Sequence, residues 1–189
     1  MTPTELIDAL NEGIIKCIQT SGSILPSFLI KKNAQYQCQW TAYASVEGDH
    51  NSSLFSPVVD DMRQFLPTLL DISQYDNLIG SNGRPLLYNA CIGLLSATRQ
   101  PHSNTGKSND KATPLSTFLS IAEFLDDELD LDMNERTQTK GACHRPALHL
   151  LARSCYPDAV QFLLDRGAEV NARDDEGWTA LMACCLPDI

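Results

Sequence analysis

Two short segments echo one another near the end of the chain. Pro146-Ala147-Leu148-His149 returns as Thr179-Ala180-Leu181-Met182, and Leu163-Leu164-Asp165-Arg166-Gly167-Ala168-Glu169-Val170-Asn171-Ala172 runs between them. A period of about 33 residues restricts the fold more than composition does. Each unit is a supersecondary element that buries its apolar face only against its neighbours, so the units stack into a solenoid. Such a fold works through an extended surface and needs no active-site cleft.

The echo has room to extend, because 189 residues suffice for one sizeable core or for five or six units of this size. With 43% hydrophobic and 20% charged residues the chain has the apolar content of a folded protein. No run approaches the roughly 20 apolar residues of a membrane span. The first apolar stretch is interrupted by Glu5, Asp8, Asn11 and Glu12, so it reads as an amphipathic helix and not as a secretory signal. A formal charge of −10 argues against nucleic acid and anionic membranes as partners of the whole chain. Seven scattered cysteines (17, 38, 91, 143, 155, 184 and 185) fit reduced thiols, and hence cytoplasm or nucleus, better than a disulfide framework.

Thr2-Pro3-Thr4-Glu5 reads as a capping box with Pro3 at the first helical position. The helix it opens carries Leu6, Ile7, Leu10, Ile14, Ile15 and Ile18 on one stripe and ends near Ser21-Gly22. From Leu25 to Val46 two readings stay open: Tyr36, Cys38 and Trp40 alternate as in a strand, while Ser27 to Lys32 fits a short helix. Residues 48–53 read as a loop, and a helical stretch from Ser56 towards Leu70 is divided by Pro67.

The register of the echo reaches further back. Leu69-Leu70 precedes Pro85 by the interval that separates Leu163-Leu164 from Thr179, and Gly83 and Gly177 each stand two positions before a helix opening. Pro85 and Pro146 lie nearly two periods apart, although they open consecutive units. The polar run 99–111 accounts for most of the excess as a lengthened turn between two helices. The second helix resumes at Leu115, and a longer finger takes up the remainder. The acids from Asp126 to Asp132 oppose a helix C-terminal dipole, so that helix is expected to stop before them. They read as a solvated helix end, in preference to a docking strip for a basic partner.

Residues 146–178 resemble one ankyrin repeat, and 179–189 the start of the next. The match lies in Pro146-Ala147-Leu148-His149-Leu150-Leu151-Ala152 as first helix, 158–164 as second, Gly167 at the helix end, and Asp174, Gly177 and Thr179 in the β-finger. The resemblance implies an all-α fold: an ankyrin-type helical repeat solenoid of helix-turn-helix units with β-finger loops, preceded by an N-terminal helical cap region. The expected organisation is a cap or decayed repeats over 1–55, then a degenerate repeat over about 56–84, a repeat with insertions over 85–145, a clear repeat over 146–178 and a truncated one over 179–189. The family's capping threonine is retained only at Thr179, being Pro85 and Pro146 elsewhere, and Cys155-Tyr156 replaces the usual Gly-His turn. The residues from 179 on build one helix of the final unit without the second. The chain is therefore expected to continue, with 186–189 as an improvised cap the alternative reading.

Other motifs fail on their chemistry. His149 and Cys143 lack the paired spacing of a zinc site, and the resemblance makes His149 a structural residue bonded near the fingers. The segment 140–145 lacks the context a cysteine nucleophile needs. Thr105-Gly106-Lys107-Ser108 has Pro101 where a phosphate loop requires glycine, and Asp130, Asp132 and Asn134 lack the turn glycine of a calcium loop. Asn51-Ser52-Ser53 is a sequon by spelling alone. The chain is therefore read as no enzyme, with no metal and no cofactor. The resemblance implies a protein or peptide partner, bound at finger tips and the exposed face of the first helices. That nominates Arg84, Arg145, Arg153, Arg166, Arg173, Asp175, Glu176 and Trp178, beside Ser81, Asn82 and Ser154. Arginines in an acidic chain suit an acidic, carboxylate-bearing peptide, and replacing Arg145 and Arg173 by Glu is expected to weaken binding without lowering the melting temperature. The rival reading is a regulatory or substrate-recruiting domain of a larger enzyme or ubiquitin-ligase subunit, its catalytic part beyond residue 189.

Overall fold

A computed structural model describes residues 3–21, 24–32, 35–42, 78–98, 113–138, 144–154 and 156–185. Helix α1 (Pro3–Gln19) is followed by strands β1 (Ile24–Lys32) and β2 (Gln35–Ala42). Five helices come next: α2 (Leu86–Thr98), α3 (Pro114–Leu129), α4 (Ala147–Ala152), α5 (Pro157–Asp165) and α6 (Ala180–Cys184). The strands form an antiparallel ribbon beside α1, with Leu29 bulging between the pairs Phe28–Cys38 and Ile30–Gln37. The helical solenoid expected from the echo is present. The ribbon adds two strands in the stretch where the sequence leaves both readings open, and so departs from a purely helical cap over residues 1–55. Thr2, most of the degenerate repeat, the insertion 99–111 and the sequon lie outside the described residues.

The helices make two rows. First helices α2, α4 and α6 pack in succession, and second helices α3 and α5 pack beside them. Helix α1 closes the N-terminal end against α2 and α3. Its stripe of Ile7, Leu10, Ile14, Cys17 and Ile18 is buried to 3% exposure or less. The approach to α2 is close because Gly93 has no side chain: a Cβ there would lie 3.1 Å from the Ile15 Cα. Phe118, Ile121 and Leu125 of α3 and Leu163 of α5 complete the core. Phe118 stands edge-on to Phe162 at 6.5 Å between ring centres.

Local chemistry sets the ends of these elements. Thr113 caps α3: its hydroxyl accepts from the Ser116 N–H at 3.1 Å, and its own N–H donates to the Ser116 hydroxyl at 2.9 Å. Pro114 fills the first turn. The helix does not stop before the acids. It continues through Asp126, Asp127 and Glu128 to a left-handed Asp130. The reason is Arg166, whose guanidinium binds both Asp126 and Asp127 and lies 3.6 Å from Glu123. The dipole-opposing charges are thus balanced by a cation from the neighbouring unit. Between α4 and α5, Ser154 shapes the turn: its N–H donates to the Leu151 carbonyl at 2.8 Å, and its hydroxyl accepts from the Tyr156 N–H at 3.3 Å.

Candidate functional site

Three finger turns stand in a row ahead of α2, α4 and α6. The outer two share one design. Gly83 donates to the Gly80 carbonyl and Gly177 to the Asp174 carbonyl, each at 2.9 Å. Both glycines have positive φ, a backbone conformation that residues with a Cβ rarely adopt. The middle finger is longer, closing with an Arg136–Pro146 bridge where the third closes with Arg173–Thr179. The Gln138 N–H joins the middle finger to the Gly83 carbonyl of the first at 2.6 Å.

The third finger is organised around Asp174, which is 5% exposed. Its Oδ1 accepts from the Glu176 N–H at 3.0 Å and the Trp178 N–H at 2.9 Å, and its Oδ2 accepts from Arg145 Nε at 2.9 Å. Burial pushes this carboxyl up, but the bonds from the Trp178 N–H, Arg145 and the Glu176 N–H outweigh it and hold the pKa below the ordinary value. Arg145 also lies 3.5 Å from Glu176. The Asp175 carboxylate meets His144 Nδ1 at 2.8 Å and Arg136 at 3.8 Å, so the second and third fingers are joined by a run of opposite charges. His149 Nε2 donates to the Trp178 carbonyl at 2.9 Å, as the structural reading of this histidine requires.

The nominated residues therefore separate by what they touch. Arg145, Asp175 and Glu176 tie finger to finger, and Arg166 sits on the second-helix row away from the fingers. Arg173 is exposed, with Nη1 donating to the Gly177 carbonyl at 2.8 Å, and Trp178 is 36% exposed. Arg153 is exposed after α4, and Arg84 is partly exposed at the end of the first finger. Arg145 holds a buried carboxylate, so its replacement by Glu is expected to lower stability, against the sequence expectation of an unchanged melting temperature.

Sequence reasoning missed His144 and Asp8 as residues of the finger row. Gly80 stands before Gly83 as Asp174 stands before Gly177, and this alignment is the signal that the first finger lacks a carboxylate of its own. Asp8 of α1 supplies one, accepting from the Ser81 N–H at 2.8 Å.

At the far end of the rows α6 lacks a companion among the described residues. Leu181 is 74% exposed where its counterpart Leu148 is 3%, and Met182 is 44% exposed where His149 is 2%. Left-handed Asp130 and Gly167 set the same register for the preceding turns, in which Val170 is exposed and Met133 is buried.

The remaining polar features are structural. Asn134 stitches adjacent turns, donating to the Gly167 carbonyl at 3.2 Å and accepting from the Glu169 N–H at 2.8 Å, so it is not poised for calcium. Glu135 is pushed up to about 7 by burial and by the neighbouring Asp132 charge. Burial pushes the Cys17 thiol up to about 12 and Cys91 higher still, which keeps both protonated. Among the described residues no group of three His, Cys, Asp or Glu side chains is placed to hold a metal ion, and no helix is long and apolar enough to cross a membrane. Cys143, the phosphate-loop mimic and the sequon fall outside the described residues.

The comparison with family models agrees with this geometry: residues 148–186 match the model for ankyrin repeats (many copies). Over this segment the chain is similar to ankyrin repeats. Ankyrin repeats are in general protein–protein interaction modules, which directs attention to the surface of the rows and fingers. No curated protein matches the chain.

Proposed function

We propose that this chain is a non-catalytic interaction module that binds a partner protein or peptide through its finger tips and the adjoining face of its first helices. The reading takes residues 1–55 as an N-terminal cap and 56–189 as the repeat array. The observation that carries it is the third finger: its base is fixed by the buried Asp174, while Arg173 and the Trp178 ring remain outside. A rigid base with an exposed aromatic and an exposed guanidinium has the character of a binding hot spot, because little side-chain entropy is lost on contact. The free thiols of Cys17, Cys91, Cys184 and Cys185 support a reducing intracellular setting. The end face at Val170, Leu181 and Met182 suits a further stacked unit of the same kind, since the counterparts of these residues are covered by one.

The test is site-specific photo-crosslinking in cells. A crosslinker at position 173 or 178 is expected to trap a discrete partner, whereas one at Gln161, exposed on α5, is not. Equal capture from all three positions would overturn the assignment of the binding face.

A further inference from the structure

A cavity of about 880 Å³ opens where the end of α3 meets the middle finger. Part of its wall is apolar: Leu78 is buried there, and Leu129 and Leu131 are partly so. The polar part carries both signs of charge, but they are not equally free. Arg136 and His144 both face Asp175, at 3.8 and 2.8 Å, so the cations of the wall are already engaged. Asp130, Asp132 and Glu135 line the same cavity and have no cationic partner among the described residues. The turn that presents them is fixed locally: the Glu135 N–H donates to the Asp132 carbonyl at 3.0 Å, and Asp132 Oδ1 accepts from the Asn134 N–H at 2.8 Å. Burial and the Asp132 charge push the Glu135 carboxyl up to about 7, in keeping with acids that no neighbouring cation balances. A divalent ion is a poor occupant, since among the described residues no three His, Cys, Asp or Glu side chains are placed to hold one. The volume is that of a pocket for a larger organic guest.

We propose that this cavity seats a lysine side chain of a basic partner peptide, its ammonium taken up by Asp130, Asp132 and Glu135 and its aliphatic stem lying on Leu129 and Leu131. Lysine offers both surfaces that the cavity presents, an apolar stem and a compact charged head. A carboxylate is disfavoured here, because Asp175 already holds the wall cations. The net charge of −10 adds long-range attraction for a basic segment. Asp175 and His144 belong to the third and second fingers, so the cavity adjoins the finger row and a peptide bound along the fingers can reach it. The site rests on the interaction-module reading and adds the chemistry of the partner. The sequence expectation of an acidic partner, drawn from the exposed arginines, does not extend to this cavity.

The probe is a capped peptide of six alternating lysine and alanine residues, with its glutamate–alanine counterpart as control. It is titrated into the full chain at about 0.15 M salt, which screens distant charges, and followed by NMR at the Asp132 and Glu135 amides. Saturable shifts with the lysine peptide alone are expected. Glu135→Gln, which keeps the shape of the side chain, should weaken binding about ten-fold at pH 8, the scale of one charge-assisted hydrogen bond. Asp132→Asn keeps an acceptor for the Asn134 N–H and should weaken it by a few-fold. Asp158→Asn, exposed at the start of α5, removes the same charge away from the cavity walls and should leave the affinity unchanged. Glu135, with its pKa raised to about 7, shares the cavity with Asp130, Asp132, Arg136, His144 and Asp175. Wild-type affinity should therefore rise between pH 6 and 8 as Glu135 ionises, and Glu135→Gln should flatten most of that rise. Equal loss in Glu135→Gln and Asp158→Asn would overturn the proposal by showing that only overall charge is read, and absence of saturable shifts at the two amides would overturn it outright. Neither result touches the interaction-module reading, which fails separately if crosslinkers on the third finger and at Gln161 capture alike.

Discussion

Asp174→Asn tests whether the fingers are held together by the buried carboxylate. In the variant Oδ1 still accepts from the Glu176 and Trp178 N–H groups, but an amide nitrogen replaces Oδ2 and sets two donors, its own N–H and Arg145 Nε, against each other. What disappears is one charge-assisted hydrogen bond, typically about 1.5–3 kcal/mol, together with the ionic strengthening of two backbone bonds. Arg145 is 35% exposed and regains water when released, which moves the figure to the lower part of that range. The expected loss is about 2 kcal/mol, or roughly 4–8 °C in melting temperature for a chain of this size. The pH dependence fixes the cause. A carboxyl whose folded pKa is depressed stabilises the fold above its unfolded pKa, and that contribution disappears as pH falls through the folded pKa. The gap between wild type and Asp174→Asn should therefore be widest near pH 7 and close below the ordinary carboxyl value of 3.8. Urea unfolding followed by helical circular dichroism measures both quantities, and a double-mutant cycle with Arg145→Gln isolates the pair. A variant within about 0.5 kcal/mol of wild type at pH 7, or a gap that persists unchanged in acid, would refute the reasoning.

Pro146→Thr should stabilise the protein by about 1 kcal/mol, the usual worth of a helix cap, as thermal melts can check. Pro146 caps α4 with no side-chain bond, whereas Thr179 caps α6 by accepting from the Met182 N–H at 3.3 Å. Gly93→Ala sets a methyl 3.1 Å from the Ile15 Cα and 3.3 Å from the Ile15 carbonyl oxygen. Its gain of about 1 kcal/mol in helix propensity is outweighed by that overpacking, so a net loss of about 1 kcal/mol is expected in denaturant titration. Glu135 carries a raised pKa, so its contribution is fully present below 4.5 and is lost as pH rises through about 7. Glu135→Gln should flatten the stability profile over that window in urea titrations and leave the variant the more stable at pH 8.

The helical rows are legible because their signals are local. Ile7, Leu10, Ile14 and Ile18 recur at helical spacing and are buried together, and Gly83 and Gly177 announce positive-φ turns from their place before each opening. Sequence reasoning fails where distant residues decide. On local grounds the acids of α3 forbid a helical end, and only Arg166 of the next unit permits it. Arg145 likewise has no claimant near it in sequence, and is held by an Asp174 that belongs to the following finger. The same blindness merges two kinds of arginine into one set of candidates. The ribbon is ambiguous for a related reason: Tyr36, Cys38 and Trp40 alternate, but a strand exists only once Ile24–Lys32 pairs with it, and pairing leaves little mark on the single strand.

The first finger shows how far such completion can reach. Its turn has the hydrogen bond of the third, yet Gly80 stands where Asp174 supplies the carboxylate. A Cβ at Gly80 would meet Asp8 Oδ1 at 2.5 Å, so a side chain there would displace the α1 carboxylate that accepts from the Ser81 N–H. The two fingers thus solve one electrostatic problem differently. The third carries its acid within the turn and draws Arg145 from the finger before it. The first has no finger of the described chain on its outer side, takes its acid from the capping helix, and leaves its own arginine, Arg84, without an ion pair among the described residues. That difference leaves two arginines that share one position of the repeat in unlike settings, Arg145 bonded to a buried carboxylate and Arg84 fixed through its backbone.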